Sequence, residues 1–150
     1  MKRMGLVAAL IAGLALALSL SAFGGGASKM TTTLRLVQVQ ATEHFVDLPP
    51  KGPGPGDMDV ITTNLMSSGK VIGHGRIVGI VVDFPNVEII RTDSLPGGHI
   101  SSQDTFNAAA ANTEVLAIVG GTGIYSKARG SITLTHPSAK KVAAVFTIAE

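Results

Sequence analysis

The sequence predicts an all-β protein, a small eight-stranded antiparallel β-barrel preceded by a signal peptide. Three observations carry this. The chain beyond residue 27 is rich in Val, Ile, Thr and Gly rather than in helix formers. Short apolar runs recur between Gly, Pro and Asn turn signals. No stretch beyond the leader repeats its apolar residues at the helical period.

The leader reads first. Lys2 and Arg3 form a basic head, Gly5 to Phe23 is an uncharged run of 19 residues, and small residues continue to Ala27. A basic n-region, an apolar h-region and a small-residue exit mark a secretory signal peptide. Cleavage can follow Ala22 or Ala27, and the second is preferred. The apolar run approaches the ~20 residues that span a bilayer, but the exit suits a peptidase better than a stop-transfer flank. The expected organisation is therefore residues 1–27 as signal peptide and 28–150 as one exported barrel domain, with no stable membrane anchor. Lys2 and Arg3 leave with the leader, so ten basic and ten acidic residues remain. That balance offers no basic face for nucleic acid or anionic lipid. With no cysteine, the barrel holds without disulfides, and about 120 residues bury enough surface for that.

The strands follow in order. Leu34 to Glu43 alternates, with Leu34 and Leu36 on one face and Val37 and Val39 on the other. Leu48 to Gly56 (LPPKGPGPG) holds four Pro and three Gly, so no ladder runs through it; it is an ordered rim loop or a mobile flap. Asp59 to Leu65 is the second strand, ending at Ser67-Ser68-Gly69. Lys70 to Phe84 is the third, and Gly73, Gly75 and Gly79 on one face allow the coiling that a small closed barrel requires. Pro85-Asn86 turns the chain into Val87 to Thr92, and Pro96-Gly97-Gly98 turns it into His99 to Phe106. Asn107 to Asn112 is one helical turn or a small-residue connection. Thr113 to Val119, Ala128 to Thr135 and Val142 to Ala149 complete the set, with Gly120 to Gly123 as a turn.

Chemistry-bearing motifs are few. Gly120 to Gly123 lacks the G-x-G-x-x-G spacing, and the residues after it alternate like a strand, which leaves no helix N-terminus for a pyrophosphate. His44, His74, His99 and His136 are at least 25 residues apart, with no paired spacing that predicts a metal site. No cofactor is expected. No nucleophile elbow supports a serine triad. Glu43, beside His44, ends the first strand, and Asp57 and Asp59 begin the second. Carboxyls at a barrel mouth serve as acid–base groups where apolar walls raise their pKa, and otherwise are solvated rim charges. Aromatic residues are scarce, which argues against carbohydrate or single-strand nucleic-acid stacking.

A set of motifs is similar to the allene oxide cyclase and dirigent protein superfamily: Gly56-Asp57, Asn64-Leu65, GKVIGHG from Gly69 to Gly75, LPGGHI from Leu95 to Ile100, and AIVGGTGIYSKARG from Ala117 to Gly130. The resemblance covers about Leu34 to Ile148 and implies an eight-stranded barrel, usually a homotrimer, with an apolar cavity. It implies catalysis mainly by positioning: closure of a fatty-acid epoxide, stereochemical control of phenoxy-radical coupling, or guided cycloaddition. Carried over residue by residue, Glu43 matches the cyclase glutamate and Arg129 the arginine of the dirigent A-R-G string. Asn64 resembles a cyclase pocket asparagine about one residue out of register, which turns it to the opposite face. Tyr125 is a ligand-binding candidate from the same string. Ile124 stands where many dirigents carry an acid.

The expected function is thus an exported barrel binding a small apolar molecule, acting as an isomerase, cyclase or stereo-directing protein. The alternatives are a non-catalytic carrier and a structural surface protein with a filled barrel. A cavity holding a buried carboxylate favours catalysis, one without ionisable groups favours a carrier, and large side chains meeting at the centre favour the structural role. N-terminal sequencing of secreted protein should find a chain starting within a few residues of Ala27; intact Met1 in the membrane fraction would contradict the leader assignment.

Overall fold

A computed structural model describes residues 30–109, 113–138 and 141–149. The leader assigned to residues 1–27, and residues 110–112 of the Asn107–Asn112 connection, lie outside them. The eight strands are β1 (Thr31–Val46), β2 (Met58–Ser67), β3 (Lys70–Asp83), β4 (Asn86–Leu95), β5 (Gly98–Asn107), β6 (Thr113–Gly121), β7 (Arg129–Ser138) and β8 (Lys141–Ala149). Every boundary falls within three residues of the sequence expectation. All neighbours pair antiparallel, and β8 returns to β1, so the sheet closes as β1 to β8 in chain order. Closure leaves no strand edge exposed.

Strand alternation sorts side chains into the lumen or onto the outer surface. Leu36, Leu65, Leu95, Ile100, Ile118, Ile132, Ala144, Phe146 and Ile148 form the buried core. They cluster towards the end of the barrel that carries the β2–β3 and β4–β5 turns and both ends of the described chain. A polar layer lies above them. Gln38, Thr63, Arg91, Asp93 and Ser102 are all buried, at 7% exposure or less. Arg91 Nε donates to Asp93 Oδ2 at 2.7 Å, its NH2 group to Asp93 Oδ1 at 2.8 Å and its NH1 group to Gln38 Oε1 at 2.6 Å. Gln38 is on β1 and Arg91 on β4, so the last bond crosses the lumen. Gly75 leaves the room: a Cβ there would stand 2.5 Å from Thr63 Oγ1 and 2.9 Å from Asp93 Oδ1.

Two local features depart from the expected regularity. The β1–β2 register shifts between Gln40 and Thr42. This bulge reverses the alternation, as bulges do, and turns Glu43 and Phe45 to the face already held by Leu36 and Gln38. The segment after Gly123 makes a short 3-10 turn, Gly123–Tyr125, before β7 begins. Its amides are used locally, Ile124 N donating to Gly97 O at 3.0 Å and Tyr125 N to Thr122 O at 3.0 Å.

Gly123 has φ +60°, and a side chain there would collide with the Gly97 carbonyl. Gly123→Val should cost about 2 kcal/mol or more in denaturant unfolding, before any ligand-dependent property is measured. Gly121 sits in extended backbone, and there the obstacle is crowding against the Tyr125 and His99 carbonyls. Arg91→Leu leaves Asp93 buried and unpaired and should destabilise by about 3–5 kcal/mol; urea unfolding of both variants checks these values.

Candidate functional site

Above the polar layer the lumen opens. A cavity of about 290 Å³ occupies this end of the barrel. Ile61, Ile77, Val81, Val87, Ile89, Leu116 and Leu134 make apolar walls, and Phe45 and Phe106 stand towards the mouth. Arg91 and Gln38 form the floor. Three guanidinium N–H groups of Arg91 are committed to Asp93 and Gln38. A guanidinium carries five, so donor capacity remains at the floor. The Asp93 charge balances that of Arg91, so the floor offers hydrogen bonds without a net charge.

The mouth is shaped by Asp57. This buried residue accepts Leu48 N at 2.8 Å on Oδ1 and Gly54 N at 2.9 Å on Oδ2. Its backbone joins β3, with Val81 N donating to Asp57 O at 2.9 Å and Gly56 N to Val81 O at 2.8 Å. The Pro/Gly segment is therefore tied down as an ordered rim.

Asp59, two residues on, also lines the cavity. Its Oδ1 is buried and, with the group ionised, has no donor among the described residues. Burial raises the Asp59 carboxyl above the ordinary carboxylate value, and the charge of Glu43 together with a hydrogen bond to Glu43 raises it further. Two carboxyls share such a bond when one is protonated, so the pair favours holding a proton. Glu43 is exposed beside Asp59 and accepts a bond from Gln40 Nε2 at 2.6 Å.

A second titratable pair lines the cavity from β6 and β7. His136 Nε2 lies 2.9 Å from Glu114 Oε1. In a closed ring of eight strands β6 stands four places from β2 in either direction. Glu114 and Asp59 thus belong to opposite walls.

Of Glu43, Asn64, Arg129 and Tyr125, only Glu43 lies near this site, exposed beside Asp59 and not part of the cavity lining. Asn64 is on the outer face of β2, where its Oδ1 meets His74 Nδ1 at 3.1 Å. Arg129 is exposed at the start of β7, at the packed end, and its NH1 group donates to Ala128 O at 2.7 Å. Tyr125 packs against the core at that same end, and its hydroxyl donates to Pro96 O at 3.3 Å; burial raises its phenol pKa. These three are not brought together with Glu43. The residues missed were Arg91, Gln38, Glu114 and His136, and strand parity was the signal that exposes them. Arg91 and Asp93 share a face with Val87 and Ile89, and His136 shares one with Ile132 and Leu134. Among the described residues no group of three His, Asp or Glu side chains is arranged to hold a metal ion.

No protein-family model matches the chain, and a search of curated proteins finds no match in sequence. Solved structures do match. A pyocyanin demethylase superposes with a TM-score of 0.69 at 21% identity, over 77% of this chain and 98% of its own. An exo-specific intermolecular Diels-Alderase gives 0.67 at 12% identity, over 82% of this chain and 99% of its own. A pterocarpan synthase dirigent protein gives 0.65 at 17% identity, over 81% and 84%. At such identities the likeness is one of fold. The chain has the closed eight-stranded barrel fold of the allene oxide cyclase and dirigent group that its sequence motifs resemble.

Proposed function

We propose that the protein takes a compact, largely apolar molecule into the open half of its barrel and directs a cyclisation or coupling there. One observation carries the reading: an apolar cavity with a carboxyl on its wall, Asp59, whose Oδ1 is buried and whose pKa is raised by burial and by Glu43. A carrier has no use for such a group, since a buried carboxyl costs binding energy unless it meets a partner. The packed lower half supplies rigidity, and the open half supplies the space a wholly filled barrel lacks. Proteins of similar fold include an exo-specific intermolecular Diels-Alderase and a pterocarpan synthase dirigent protein, and positioning accelerates cycloadditions and couplings. Asp59 is the proton donor in this reading, with Glu43 keeping it protonated, and the Arg91–Gln38 floor receives a ligand oxygen. Export follows from the leader. Assembly as a homotrimer is part of the same proposal, supported by an uncharged outer face that includes Val115, Ala117, Val119, Thr135 and Thr147, all exposed.

The raised Asp59 pKa fixes the sign of two effects. The folded state holds this proton more tightly than the unfolded chain does. Its contribution to stability is therefore complete below the unfolded carboxyl value and is lost as pH rises through the raised one. Asp59→Asn should flatten that loss and leave the variant at least as stable as the parent at neutral pH. Native mass spectrometry of protein from its own host should reveal a bound small molecule. With that molecule as substrate, Asp59→Asn should lower turnover about a hundredfold or more, and Glu43→Gln should move the pH optimum towards acid. Unchanged turnover in Asp59→Asn would remove Asp59 from the reaction, and a bound molecule that the parent protein leaves unconverted would establish the carrier alternative.

A further inference from the structure

The cavity holds more acid–base machinery than a single proton donor requires. Asp57 is committed to two backbone amides, and Arg91 is paired with Asp93. Two titratable sets remain: Asp59 on one wall, with the exposed Glu43 beside it, and His136 with Glu114 on the other. An imidazole whose one nitrogen is held by a carboxylate is fixed in orientation and tautomer. Here Glu114 holds Nε2, so the neutral ring carries its proton on Nε2 and keeps its lone pair on Nδ1. Nδ1 has no hydrogen-bond partner among the described residues. Glu114 is the titratable group facing the ring from β6. Lys141, at the start of β8, is exposed and has outward strand parity. Asp57, Asp59 and Arg91 are the other ionisable groups on the cavity wall.

We propose that His136, oriented by Glu114, is a general base, and that the ligand is an enolisable carbonyl compound; this rests on the cavity reading above. His136 Nδ1 takes a proton from the carbon next to the carbonyl. The electron pair of that C–H bond moves into a new carbon–carbon double bond, and the carbonyl pair moves to oxygen. The resulting enolate oxygen is received by the remaining Arg91 N–H groups at the floor, donors already in place before charge develops. Asp59, across the lumen, returns a proton to a different carbon of the conjugated system, or to the product of ring closure. No atoms or electrons are gained or lost. His136 gives up its proton, and Asp59 recovers one, through the open mouth.

The base can be tested without the natural ligand. The probe is 5-nitrobenzisoxazole, a flat, neutral bicycle of the cavity's scale. Removal of its ring C–H by a base breaks the N–O bond, forms a nitrile and releases a coloured phenolate. The intact protein should turn it over with saturation, at a rate that rises with pH as the base deprotonates. His136→Ala should lose about a hundredfold or more of kcat. Glu114→Gln, which keeps the imidazole but not the carboxylate that orients it, should lower kcat with little change in KM. His74→Ala, on the outer face, should leave the rate unchanged, which controls for nonspecific imidazole catalysis. Probe that binds saturably, by displacement of an apolar dye, with a rate equal in the parent and in His136→Ala would overturn the general-base role and leave the cavity reading standing. A barrel that binds neither dye nor probe would overturn both.

Discussion

One hydrogen-bonded bridge divides this molecule. Arg91 reaches from β4 across the lumen to Gln38 on β1 while Asp93 grips it from its own strand. An ion taken out of water costs several kcal/mol unless its partners are nearly ideal, and two short bonds to one carboxylate are close to that ideal. Because the guanidinium must lie where Asp93 and Gln38 both reach it, it sets the level at which the core stops. Below it Leu, Ile and Phe side chains fill the barrel. Above it the space is open. A small eight-stranded barrel is just wide enough for its own side chains, so a cavity of this size exists only where the inward positions carry Gly79 and branched aliphatics of modest length. Gly75 makes the same concession one level lower, leaving the guanidinium and its carboxylate unobstructed.

The mouth depends on two departures from regularity. Without the bulge between Gln40 and Thr42, Glu43 would face outward and Asp59 would lose the neighbour that helps hold its proton. Without the two amides on Asp57, nothing would keep a segment so rich in Pro and Gly, which has no ladder of its own, as a defined rim. Both devices sit within β1 and the segment that joins it to β2, so the Asp59 side of the cavity is built locally. The opposing His136–Glu114 pair lies where β6 and β7 stop pairing, one residue beyond Thr113↔Thr135, and the β7–β8 register shifts there between Thr135 and Ser138.

The fold was legible because alternation and turn residues are local signals, and here they agree from Leu34 to Ala149. The site was less so. A bulge has no residue signature in this sequence, and one inserted residue exchanges the faces of all that follow in the strand. Glu43 was found through a resemblance, but its partnership with Asp59 required three-dimensional closure. Arg129 and Tyr125 came from the most conspicuous string, AIVGGTGIYSKARG, whose glycines serve a tight 3-10 connection at the packed end. The motif is memorable because backbone crowding permits few other residues there, a demand of folding that says little about the open end. Arg91 and His136 were readable by parity. Parity alone does not settle the face, since Arg76 is in phase with Val78 and Ile80 and is exposed.

A cavity with a neutral polar floor, apolar walls and acid–base groups on facing sides distinguishes among the reactions that positioning alone would allow. A binding pocket selects by shape, and apolar walls do that without ionisable groups. Ionisable groups placed there are costly to keep, and burial together with Glu43 raises the Asp59 pKa. The cost is recovered only when proton movement accompanies bond reorganisation, because then a group poised between its two states contributes to the transition state as well as to the complex. Facing pairs also impose direction, since a molecule lying between them gives its proton to one wall and receives one from the other. The geometry therefore couples the pose of the ligand to the face on which a new stereocentre is protonated, which is how a rigid barrel sets handedness with very few reactive side chains.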